Sequence, residues 1–150
     1  MTIATTAPPG HPIASTRTHR LTTANRATAA AELRAVVAAL VRVAGHAPLV
    51  DSARLCTSEL VTNVHRHTGA GLVHVEVVLG EDEVTVRVHD DQPRPLPGPP
   101  GAGSAFRECG RGLAHVEELT DAWGATYYGG PRPTSEAVWF RMVRGGRGAS

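Results

Sequence analysis

Ser58-Glu59-Leu60-Val61-Thr62-Asn63-Val64-His65-Arg66-His67 decides how this chain is read. Glu59, Asn63 and His67 recur every four residues. At about 100° per residue they fall within an arc of roughly 80° on a helix. Leu60 and Val64, with Ala53 and Cys56 upstream, mark an apolar stripe on another side, so the spacing predicts an amphipathic helix over residues 49–67. Gly45 and Pro48 precede it as terminator and first-turn residue, and Thr68-Gly69-Ala70-Gly71 stops it. A carboxylate and an amide one turn apart are oxygen donors suited to Mg²⁺ and its waters. Glu59 can also take the proton of an attacking hydroxyl. A solvated helix face accounts for the same three residues, so the strip alone leaves both readings open.

Working outward, residues 24–43 read as a helix, with Leu33, Val36, Val37, Leu40 and Val41 at three- and four-residue steps. Downstream, Val73, Val75, Val77 and Leu79 alternate with polar neighbours, as do Val84, Val86 and Val88. Two strands joined by Gly80-Glu81-Asp82 follow, an antiparallel hairpin over residues 72–89. Residues 92–103 hold five prolines and three glycines, which bars helix and central strand. A third helix begins at Gly110 and turns Leu113, Val116 and Leu119 inward, and residues 122–128 and 137–143 read as closing strands around Gly129-Gly130-Pro131. The order predicts an α+β, two-layer sandwich: a mixed, mostly antiparallel sheet with helices on one face.

Two further groups carry chemistry. Val88-His89-Asp90-Asp91 ends a strand, where a carboxylate can accept a hydrogen bond from an exocyclic amine such as adenine N6. Gly110-Arg111-Gly112-Leu113 opens a helix, where backbone N–H groups and the helix terminus favour phosphate oxygens. Each has an ordinary structural explanation when taken singly. A strand end before a turn often carries Asp, and a lone GxG is neither a Rossmann fingerprint nor a P-loop.

Their order along the chain is more specific. A helix-borne E-x₃-N-x₃-H, a strand-end Asp, a long Gly/Pro loop and a GRGL turn together resemble the histidine-kinase-like, or Bergerat-fold, ATPase domain. The likeness is to its small branch of anti-sigma-factor serine/threonine kinases and related bacterial regulators. Glu59 to His67 is similar to the N-box of that branch, Asp90-Asp91-Gln92-Pro93 to its G1 box, and Gly110-Arg111-Gly112-Leu113 with Trp123-Gly124 to its G2 box and the following helix. Val138-Trp139-Phe140 resembles the last strand, so the likeness spans about residues 26–143. The resemblance implies ATP and Mg²⁺ as cofactors. It casts Asn63 as the magnesium ligand, Glu59 as general base and Asp90 as the adenine-binding carboxylate. Gly110, Arg111, Gly112 and Leu113 become the turn around the phosphates, and residues 92–103 the ATP lid. The implied partners are a sigma factor or other transcription regulator and an anti-sigma antagonist domain that receives the phosphate.

Three positions depart from the pattern. Gln92 stands where the G1 box usually has Gly or Ser. Glu136 and Ala137 stand where the closing strand often has Lys-Thr, replacing a cation by an anion and losing a hydroxyl. A second reading follows from these: a non-catalytic module that sequesters a partner with weak or no ATP turnover.

Composition narrows the classes. With 150 residues the chain suits one domain, and 41% hydrophobic but only 4% aromatic content means a core of Val, Leu and Ala. All fifteen cations are Arg. Five of them lie in residues 1–48 against one acid, and the rest are scattered, with no basic stripe for nucleic acid. No run of about 18 apolar residues suggests a membrane span, and nothing near Met1 resembles a signal peptide. Cys56 and Cys109 have neither CxxC nor zinc-ligand spacing, so the expected setting is a reducing cytoplasm. Residues 1–16 read as a flexible tail, 17–145 as the ATPase-like domain and 146–150 as a second tail. His65, His67, His74 and His89 read as exposed rather than as a metal cluster. The helix over 24–43 serves the core alone or also a homodimer.

Overall fold

In the computed structural model, residues 1–6, 16–90, 111–128 and 135–150 are described. The chain runs β1 (Thr2–Thr6), β2 (Arg17–Ala24), α1 (Ala29–Val43), a 3-10 turn (Ala47–Leu49), α2 (Val50–His67), β3 (Leu72–Leu79), β4 (Glu83–Asp90), α3 (Arg111–Leu119), β5 (Ala122–Tyr128) and β6 (Ser135–Val143). Among the described residues six strands form one sheet in the order β1-β2-β3-β4-β6-β5, and the five pairings are antiparallel. The α+β two-layer reading holds, without the parallel pairing that a mixed sheet would contain.

The alternation in β3 and β4 separates the two faces. Val73, Val75, Val77, Val84, Val86 and Val88 are buried against Leu33, Val37 and Val41 of α1 and Ala53, Cys56, Leu60 and Val64 of α2. Each such aliphatic side chain taken out of water contributes about 1.5–3 kcal/mol before entropy is counted. Phe140 and Met142 of β6 complete this layer. The other face is polar: Glu76 bridges Arg20 at 3.2 Å and Arg87 at 2.7 Å, and the His74 and His89 rings stack at 5.0 Å. Burial first, then the neighbouring His74, holds the His89 imidazole below its usual range. His65 is engaged elsewhere, its Nδ1 lying 3.1 Å from Asn25 Oδ1. Among the described residues no group of three or more His, Cys, Asp or Glu could hold a metal.

Besides β2, which the sequence reading left unassigned, and α1, which begins at Ala29 rather than at residue 24, two segments differ from that reading. Thr2–Thr6, placed there in a loose tail, pairs with β2 along the sheet edge. Residues 144–150 fold back over the start of α2, where Ser52 Oγ donates to the Gly148 carbonyl at 2.7 Å. Asp121 caps the turn by accepting from the Val143 and Arg147 amides. The break between α1 and α2 follows the expected chemistry: Gly45 takes φ +86°, and the buried His46 ring bonds the Gly80 carbonyl at 2.8 Å. The prolines and glycines of residues 92–103 and 129–131 lie outside the described residues. No helix among those described is long and apolar enough to cross a membrane.

Cys56 lies at the centre of the helical layer. Burial first, and the Glu59 charge second, push its thiol up to about 12. The thiolate is the reactive form. In a Cys109→Ser variant, native protein at about pH 8 is therefore expected to leave an aromatic disulfide reagent unreacted until it is unfolded. Immediate release of one equivalent from native protein would contradict this packing.

Candidate functional site

Helix α2 brings the first two residues together. Glu59 and Asn63 sit one turn apart, Glu59 at the helix flank with its side chain 29% exposed and Asn63 only 5% exposed. A buried amide is costly unless its hydrogen bonds are met. The Nδ2 of Asn63 has no hydrogen-bond partner among the described residues. The polar strip is thus not a plain solvated face, because one of its members is in the protein interior with unmet capacity. The amide and the neighbouring carboxylate fit a hard cation in ligand type, since Mg²⁺ takes oxygen donors and keeps waters and phosphates as its other ligands. His67 closes α2, and its side chain falls outside the described residues.

Strand β4 supplies the third residue. Asp90 ends the strand on the helix-facing side, opposite Val73 of β3, and is 4% exposed. The valine alternation puts it there: Val84, Val86 and Val88 face the core, so residue 90 must. Residue Leu113, in the first turn of α3, is buried in the same core, and Arg111 and Gly112 form the first residues of that helix. Gly110, Asp91 and Gln92 lie outside the described residues.

The closing strand separates the two departures. Phe140, Val138 and therefore Glu136 face the helices, and Glu136 is 5% exposed. Ala137 pairs with His89 and lies on the polar face. Since Asp90 and Glu136 are the next residues after that pair on their strands, the anion at 136 sits on Asp90's side of the sheet. The missing hydroxyl at 137 does not. Motif comparison alone treated the two alike; counting alternation from Phe140 distinguishes them.

One contact was not anticipated. His115 of α3 places Nδ1 3.6 Å from Glu59 Oε1. The only signal for it was a polar residue beside the Leu113–Val116 stripe.

Among the described residues the fold is thus an antiparallel sheet covered on one face by helices, with Asn63 buried on α2 and Asp90 buried at the end of β4. The family model of the histidine kinase-like ATPase domain matches residues 23–142. The chain belongs to that family, whose domain binds ATP. A search of the curated proteins gives no match.

Proposed function

We propose that the chain is an ATP-dependent regulatory serine/threonine kinase similar to the anti-sigma-factor kinases. It binds a sigma factor or similar regulator and phosphorylates a serine or threonine of an antagonist domain. The observation that carries this reading is the buried Asn63 amide, one turn from the part-exposed carboxylate of Glu59.

In this reading Asp90 accepts the adenine N6–H, and the first turn of α3 offers its N–H groups to the phosphates. Asn63 and the phosphate oxygens would hold Mg²⁺, which supplies neutralisation of the triphosphate charge when bound. Glu59 accepts the proton of the substrate hydroxyl as its oxygen bonds to the γ-phosphorus. The bond from that phosphorus to the β,γ-bridging oxygen breaks, and ADP leaves with the electron pair. Such transfer rests mainly on positioning and charge, which suits a site with few reactive groups. Incubation with γ-labelled ATP, Mg²⁺ and the cognate antagonist tests it. Label on an antagonist serine or threonine supports the kinase; no label, with Glu59→Ala unchanged from wild type, overturns it.

Glu136 favours the second reading, a sequestering module with weak ATP binding. A carboxylate buried on the Asp90 side, when ionised, opposes a triphosphate that brings several negative charges of its own. Replacing it with the neutral isostere removes that repulsion. Glu136→Gln is expected to bind ATP about threefold to tenfold more tightly, read by calorimetry; unchanged affinity would place Glu136 outside the nucleotide's field. Partner binding that survives both Glu59→Ala and the omission of ATP would support sequestration over catalysis.

A further inference from the structure

The geometry points to His115 as a positioning residue for Glu59, an assignment that rests on Glu59 being the general base. His115 lies in α3, outside the GRGL turn. Its Nδ1 is 3.6 Å from Glu59 Oε1, with the imidazole 45% exposed and the carboxylate 29% exposed. Although the ring edge reaches solvent, the Nδ1 atom itself is buried and has no hydrogen-bond partner among the described residues.

Chemistry fixes the roles on each side of this contact. A carboxylate oxygen can only accept, so a neutral imidazole meets it productively only as the Nδ1–H tautomer. At 3.6 Å the pair stands slightly beyond hydrogen-bond length, as catalytic contacts often do before substrate closes the site. A small rotation of either side chain completes it. The bond then ties one carboxylate oxygen to α3, the helix whose first residues, Arg111 and Gly112, belong to the turn assigned to the phosphates. The other oxygen remains free for the incoming proton. Base and phosphate end are thereby fixed relative to each other through one helix.

The residue type fits the task. An arginine at this place would hold the carboxylate but pair it with a permanent charge, weakening it as a base. A neutral imidazole orients it at smaller cost in basicity. Cys56, the other titratable neighbour of Glu59 on α2, stays a thiol at neutral pH and does not compete for that carboxylate as an ion.

Two measurements test the assignment, and the first needs no activity. Long-range ¹H–¹⁵N spectra of ¹⁵N-labelled, nucleotide-free protein at about pH 8 report the tautomer of each histidine, and His115→Asn assigns the signal by its loss. The expected result is Nδ1–H for His115 in wild type, changing to Nε2–H in Glu59→Ala. An Nε2–H ring in wild type, or a tautomer indifferent to Glu59→Ala, overturns the contact. The second compares two variants. Asn can place an amide N–H near the Nδ1 position, whereas Leu keeps the bulk without a donor. His115→Asn is expected to keep phosphoryl transfer within about threefold of wild type, and His115→Leu to lose about tenfold at unchanged ATP affinity. Equal rates in the two variants overturn the positioning role. If wild type transfers no phosphate at all, the general-base reading of Glu59 fails, and the tautomer experiment still decides whether His115 donates to it.

Discussion

Glu59→Ala is expected to lower phosphoryl transfer by roughly a thousandfold, within the ~10²–10⁴ that a positioned general base contributes. The same substitution should leave ATP affinity within about threefold, because the role assigned to Glu59 is toward the hydroxyl proton and not toward the base or phosphates. Folding is not at risk, since the side chain is part-exposed. Glu59→Gln sharpens the comparison: it keeps the shape and removes the basic oxygen pair, and should be as inactive as Ala. Rapid-quench measurement of labelled product under saturating ATP separates the effects. A Gln variant as active as wild type would show that the carboxylate takes no proton.

Asn63→Ala is the second large effect, and it acts on binding. Removing the amide deletes the proposed Mg²⁺ ligand, and Mg²⁺-dependent ATP affinity should fall by about a hundredfold, the equivalent of about 2.7 kcal/mol. The cost to the empty protein should be far smaller. The Nδ2 of Asn63 is buried without a partner among the described residues, so its removal relieves an unmet donor while leaving a small void. These oppose each other, and the thermal midpoint is expected to move by only a few degrees. Asn63→Asp keeps an oxygen ligand and should restore part of the Mg²⁺ dependence. A collapse of stability in Asn63→Ala would instead mark the amide as a structural group. Calorimetric titration and thermal unfolding of the same samples distinguish the outcomes.

Most of the architecture was legible because its signals are periodic. The α2 stripe of Ala53, Cys56, Leu60 and Val64 and the valines of β3 and β4 are all buried where their spacing placed them. Strand β2 escaped notice because Arg-Thr-His-Arg-Leu-Thr-Thr-Ala buries only Leu21 and Thr23. Alternation carried by a single aliphatic residue looks like a polar linker. Residues Thr2–Thr5 of strand β1 are exposed, and the strand is held by its ladder to β2, which composition does not report. At the site, spacing grouped Glu59 with Asn63 but not their unequal burial. Asn63 borders the stripe next to Val64, and its polar identity hid that it lies in the interior. The contact of His115 with Glu59 depends on how α3 crosses α2, a tertiary fact that no local pattern encodes.

The Glu136 charge reversal is the feature that most divides catalysis from sequestration. It is buried on the Asp90 side of the sheet, whereas Ala137 lies on the opposite face, so under the proposed reading only Glu136 is expected to change nucleotide affinity. Affinity is therefore the quantity on which the whole reading depends. Titration calorimetry of the wild-type chain with ATP, in the presence and absence of Mg²⁺, measures it directly. A single site whose affinity rises at least tenfold with Mg²⁺, and loses that gain in Asn63→Ala, is the result expected. No detectable heat under either condition, or one affinity indifferent to Mg²⁺, would contradict the account.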